Sequence, residues 1–246
     1  MAGKIHLIPN KEALDPDLLE GKIAVVFDVL LATTTMVTVM EHGAKEVIPA
    51  LNDTEAHRLA AERDIKMIAG EFNGRTVDGF LDPSPTDLKD KIEGQRLVLS
   101  TTNGTVAIRK SQQADHIYIG SLLNAQRLAQ HMADDHKDKT ILLVCAGSGG
   151  TFALEDFYGA GCFLYECIQA GMTWRMTDAA LSAYMFYDSY KNTPLSVLRR
   201  SRLGRLMVDQ GYGHELEWAA QVNQFQGVHC FADGQMIDLQ RSNRHV

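Results

Sequence analysis

The sequence predicts an α/β fold in which a largely parallel sheet is covered by helices on both faces. Short apolar, β-branched runs recur along its first 150 residues, and stretches of helical spacing with recognisable caps lie between several of them. Beyond about Gly150 the pattern becomes mostly helical.

The predicted strands are KIHLIP (4–9), KIAVVFDVL (22–30), EVIPAL (46–51), KMIAGE (66–71), RLVLST (96–101), HIYIGS (116–121) and TILLVCAG (140–147). Asn52, with Glu55 three residues on, resembles a capping box, and Ala56, Leu59 and Ala60 supply the apolar face of the helix it opens. Four helical stretches follow from Leu154 to about Gln224. A short hairpin, VHCFADGQMIDL, then turns at Asp233-Gly234. No linker or fixed-period repeat breaks the chain. Residues 1–246 therefore read as one α/β domain, or as two tightly packed lobes with a break near 145–175.

Composition excludes several function classes. The 246 residues are 45% hydrophobic and 22% charged, as in an ordinary globular protein, and a net charge of −7 leaves no basic stripe for nucleic acid. The densest cationic stretch, LRRSRLGR (198–205), reads as a solvated helix face or a subunit contact. No apolar run reaches membrane-span length and the first residues lack a signal-peptide core, so a cytoplasmic protein without a membrane partner is expected. Cys145, Cys162, Cys167 and Cys230 have no metal-site spacing and read as buried thiols. A zinc hydrolase and a GxSxG serine hydrolase are disfavoured because their motifs are missing. Met185, Phe186 and Tyr187 read as core, with a homodimer interface as the alternative.

The chemistry gathers where strands end, the usual ligand crevice of an open α/β sheet. Asp28 follows AVVF, and Thr33, Thr34 and Thr35 open the next helix, whose first amides suit an anion; an N-cap is the plainer reading. Glu71 ends a second strand. After a third, Thr101, Thr102, Asn103 and Gly104 combine hydroxyls, an amide and a residue that allows close backbone approach. Ser121 and Asn124 read as helix capping. GSGG (147–150) matches neither GxGxxG nor GxxxxGK[ST], but leads to the acid pair Glu155-Asp156. Asp28, Glu71 and Asp156, from separate strand ends, could hold a hard divalent cation beside that oxyanion cradle, which points to magnesium-assisted phosphoryl chemistry.

Taken in order, FDVLLATTT, GE followed by GF and SP, STTNGT, GSLLNA and CAGSGGTFALEDFYGAG resemble the 2-phosphosulfolactate phosphatase family. The resemblance is dense from about residue 20 to 165 and looser through HELEWAAQVN. It implies a three-layer α/β/α fold with a mixed sheet, and Mg2+-dependent hydrolysis of 2-phospho-3-sulfolactate, a small anionic phosphate ester, to 3-sulfolactate and phosphate. It also implies Asp28, Glu71 and Asp156 as metal or catalytic acids, with Thr33, Thr34, Thr101, Thr102, Asn103 and Gly104 contacting phosphate. The family commonly has arginine where this chain has Leu31, Phe72 and Val106. Arg75, Arg109 and Lys110 are the nearby cations that could replace them in binding a highly charged substrate. Another small anionic ester, or a non-catalytic anion-binding role, are the alternatives.

Overall fold

The computed structural model describes residues 3–239. His245, one of the nine histidines, lies outside them. Eleven strands form among the described residues: β1 (Lys4–Ile8), β2 (Ile23–Phe27), β3 (Glu46–Ala50), β4 (Met67–Phe72), β5 (Arg75–Thr76), β6 (Arg96–Ser100), β7 (His116–Gly120), β8 (Ile141–Cys145), β9 (Arg175–Met176), β10 (His229–Ala232) and β11 (Gln235–Asp238). All seven predicted runs are strands. β2 and β8 are buried at every residue, which explains why their sequences run apolar without alternation.

The helices are α1 (Ala32–Glu41), α2 (Asp53–Glu62), α3 (Pro85–Leu88), α4 (Gly104–Lys110), α5 (Ala125–Asp135), α6 (Leu154–Gln169), α7 (Asp178–Tyr190), α8 (Pro194–Arg200), α9 (Arg202–Asp209) and α10 (Gly213–Ala219). Asn52 caps α2 by accepting from the Glu55 amide at 2.8 Å, while the Glu55 carboxylate takes the Leu51 amide. Ser121 and Asn124 form a true capping box ahead of α5. Among the described residues no helix is long and apolar enough to cross a membrane, and all four cysteines are buried and unpaired. Tyr187 is core, whereas Met185 is 59% exposed.

The sheet is mixed, in the order β5-β4-β6-β3-β11-β10-β7-β2-β8-β1-β9. Within it β4-β6-β3 and β7-β2-β8-β1 are two parallel blocks. The β10–β11 hairpin joins them, pairing antiparallel to β7 on one side and to β3 on the other. Asp233 (φ 51°) and Gly234 (φ 82°) both take the left-handed conformation that a tight hairpin turn requires. Three successive antiparallel pairings make the two blocks run in opposite directions, so a flat sheet would separate their carboxyl ends. The loops after β2 and β6 nevertheless touch: a Cβ added to Gly104 would lie 2.7 Å from Asp28 Oδ2.

Helices lie on both faces. One core joins α1 and α4 to residues of both blocks, such as Val26, Val47, Leu97 and Val144. On the opposite face α2 covers β3 and β6, and α5, α6 and α7 cover β1, β2 and β8. Phe27 and Phe163, fully buried with ring centroids 6.1 Å apart, anchor that second face, each contributing about 1.5–3 kcal/mol. The C-terminal helices share a further core in which Leu198, Met207 and Leu216 pack with Val29 and Leu30. That contact ties α8–α10 to the loop after β2.

Candidate active site

The loop after β2 is held by the threonines that follow it. Thr33 Oγ1 accepts from the Asp28 amide at 3.0 Å, Thr34 Oγ1 donates to the Val29 carbonyl at 2.8 Å, and Thr35 Oγ1 donates to the Pro83 carbonyl at 2.7 Å. All three threonines are fully buried. Their hydroxyls satisfy buried backbone groups of the loop before α1 and of Pro83, which would otherwise be left unpaired. The peptide bond between Leu30 and Leu31 is cis.

Asp156, in the first turn of α6, is also buried. One carboxylate oxygen accepts from the Val29 amide at 2.8 Å and the other from the Gly147 amide at 3.0 Å. It thereby ties the loop after β2 to the glycine loop after β8. Glu71, at the end of β4, accepts from the amide and the hydroxyl of Thr102 at 2.7 and 2.9 Å, and from the Gly74 amide at 2.7 Å. The loops after β4 and β6 are locked together in this way. Lys11 Nζ, on the segment after β1 and itself buried, donates to Asn103 Oδ1 at 2.7 Å. Because an ammonium can only donate, the carboxamide oxygen must face Lys11, which leaves the Asn103 N–H groups free for another acceptor.

These loops border a cleft of about 280 Å³, at the small end of ligand sites. Asp28, Glu71, Thr101, Thr102 and Asn103 line it; Thr33, Thr34, Gly104 and Asp156 lie behind the lining. An apolar wall of Leu30, Leu31, Leu203, Leu206 and Met207 stands with them, and Arg202 also borders the cleft. At the rim the Tyr212 hydroxyl donates to Asp82 Oδ2 at 3.2 Å.

Sequence similarity now bears on this geometry. The profile of the 2-phosphosulpholactate phosphatase family matches residues 8–234. The chain belongs to that family. A probable 2-phosphosulfolactate phosphatase of Caldanaerobacter subterraneus subsp. tengcongensis is 33% identical over 224 residues, covering 89% of this chain and 91% of that one. Proteins of the same description from Caldicellulosiruptor saccharolyticus and Thermotoga maritima are each 34% identical over 220 residues, covering 87% and 89% of this chain and 91% and 92% of theirs. This is a family of phosphatases, so the chain is a phosphatase-family enzyme for a small phosphate ester.

The electrostatics of the cleft are those of acids short of counter-charge. Burial, then repulsion from Glu71 and Glu155, pushes the Asp28 carboxyl up to about 7, against the smaller opposing pull of the Ala32 amide and Lys11. Burial likewise raises Glu155, and burial with repulsion from Asp28 and Glu155 raises Asp156 well above the carboxylate range. Among the described residues no three acids, histidines or cysteines converge as a metal-sized group. Of the three acids expected to act as ligands, Asp28 and Glu71 line the cleft and Asp156 does not. Both oxygens of Asp156 and both of Glu71 already accept hydrogen bonds, each oxygen being able to accept a further one or a cation. Two carboxylates with phosphate and water oxygens make an ordinary magnesium shell, and a buried carboxyl held near neutrality is the group a divalent cation would relieve. The donor set fits Mg2+.

The cations fall elsewhere than expected. Arg109 turns away to Glu55 at 3.2 Å, Lys110 donates to the Lys11 carbonyl at 3.1 Å, and Arg75 is exposed on β5 outside the cleft lining. Lys11 and Arg202 take their place. Arg202 belongs to the basic stretch read from sequence as a solvated face. Only its position at the start of an amphipathic helix, with Leu203, Leu206 and Met207 on one side, marked it beforehand.

Proposed function

We propose that this protein is a cytoplasmic, Mg2+-dependent phosphatase that hydrolyses 2-phospho-3-sulfolactate to 3-sulfolactate and phosphate. The observation that carries this reading is the juxtaposition, in one small cleft, of the buried, charge-starved Asp28 and the half-buried Glu71 with the donors of residues 101–103. The relatives' description supplies the substrate.

Asp28 and Glu71 would hold the ion, which when bound neutralises phosphate charge and polarises the phosphoryl group. The chain's own residues do the rest. Asn103, its oxygen committed to Lys11, donates its N–H groups to phosphoryl oxygens. Asp156 fixes the loop that carries Asp28, and Glu71 fixes Thr102 beside Asn103. The leucine wall keeps bulk water from the ester, so each of these charge interactions is stronger than it would be in solvent.

Phosphate release from 2-phospho-3-sulfolactate is expected to require Mg2+, to stop in EDTA and to fall at least ~100-fold in Asp28→Asn. Full turnover in EDTA would overturn the reading. Leu31 and the apolar wall favour a second reading, in which the substrate is a less charged phosphorylated hydroxy acid. Equal turnover of 2-phospholactate would support it.

A further inference from the structure

We propose that Arg202 binds the sulfonate of the substrate and so sets the enzyme's selectivity. The inference rests on the phosphatase reading above and names a contact which that reading leaves open. Once phosphate is placed against Asp28, Glu71 and Asn103, the substrate's other strong anion needs a cation within the same cleft. Arg202 is the one cationic residue that lines it among the described residues.

The guanidinium is available for that contact. Arg58, Arg63, Arg96, Arg109 and Arg199 are each within ion-pair distance of a glutamate. Arg202 forms no such close pair among the described residues, although its charge acts on the nearby Glu155 carboxyl against the rise that burial causes. It donates to the Ser148 hydroxyl at 2.6 Å, which uses one of its five N–H donors. That bond stretches the side chain from the start of α9 to the glycine loop after β8, with Ser148 itself in the cleft lining. Leu203, Leu206 and Met207 of the same helix line the adjoining wall, so an oxyanion here meets the planar donor fork of an exposed arginine beside apolar side chains. A sulfonate, with three oxygens in tetrahedral array, can accept two of the remaining N–H groups side by side.

The test compares wild type with Arg202→Met, Arg202→Lys and Arg205→Met, using 2-phospho-3-sulfolactate and 2-phospholactate with Mg2+. In Arg202→Met the KM for the sulfonated ester is expected to rise ~10–100-fold with kcat within about threefold, so that its kcat/KM advantage over phospholactate falls by a similar factor. Arg202→Lys restores part of that advantage, because the charge returns without the fork. Arg205→Met matches wild type, since Arg205 donates to the Arg200 carbonyl and lies outside the cleft lining. An Arg202→Met enzyme with wild-type selectivity and an unchanged melting temperature overturns the proposal.

Calorimetry with the product 3-sulfolactate separates this proposal from the functional reading. If wild type hydrolyses neither ester, the reading fails. The assignment of Arg202 then stands if 3-sulfolactate binding weakens at least tenfold in Arg202→Met, and falls if the two affinities agree.

Discussion

Gly104→Ala should injure the active site without replacing any side chain that performs chemistry. Gly104 is the first residue of α4, directly after Asn103, and its own backbone does not need glycine's left-handed freedom. The constraint is one of contact. A methyl group there would sit 2.5 Å from Ala32 Cβ, 2.7 Å from Asp28 Oδ2 and 3.0 Å from Asp28 Cβ. Ordinary carbon–carbon contact is about 3.5–4.0 Å, so relief takes roughly 1 Å of movement. Ala32 has no rotamer to yield, so the loop carrying Asp28 must move, or α4 must. Overpacking of this kind costs about 1–3 kcal/mol. At this chain length that corresponds to a melting temperature lower by roughly 2–12 °C. On the proposed function, a displacement of about 1 Å of the loop carrying Asn103 relative to Asp28 should reduce kcat about 100-fold. Gly213→Ala serves as the control, since a Cβ there meets nothing within 4 Å. Scanning calorimetry and phosphate-release kinetics read both effects; a Gly104→Ala enzyme with the stability and kcat of wild type would refute the reasoning.

Lys11→Met removes the donor that orients Asn103 and should lower kcat/KM about 10–100-fold, the worth of a hydrogen bond to a charged group; an unchanged value in steady-state assays would dismiss the orienting role. A separate effect belongs to the cluster in which the Tyr118 hydroxyl lies 2.8 Å from His136 Nε2 and 2.9 Å from His131 Nε2. Burial, with help from His116 and His131, depresses His136 from 6.5 to about 4. The folded state therefore binds fewer protons than the unfolded one between those values. Stability from this site is fully present above pH 6.5 and is lost as pH falls toward 4. Urea titrations across that range should show a shallower pH slope for His136→Gln than for wild type, and identical slopes would rule the site out.

The strands were legible because buried β-branched runs leave a strong local signal, and Asp233-Gly234 announced its turn by its need for positive φ at both residues. The place of that hairpin was not legible. Pairing of β11 with β3, some 190 residues apart in the chain, is decided by twist and packing, which no short window contains. The same division runs through the site. Asp28, Glu71, Thr101, Thr102 and Asn103 could be read as strand-end residues because an open α/β sheet brings such ends to one crevice. Thr33 and Thr34 stand at the predicted helix start, yet their hydroxyls turn inward, since a loop buried among leucines must pair its own backbone. Lys11 carried no local signal and Arg202 only that of an amphipathic helix start, because a long cationic side chain reaches its partner through tertiary structure.

The hairpin that bridges the two sheet blocks also orders events in time. A chain emerging from the ribosome makes β4-β6-β3 and β7-β2-β8-β1 from residues before 146, yet the strands that suture them are residues 229–238. Until those residues appear, two growing blocks each hold an open edge, at β3 and at β7, where another polypeptide could pair. In the folded chain the hairpin covers both edges at once and sets the separation of the two blocks whose loops carry Asp28 and Asn103.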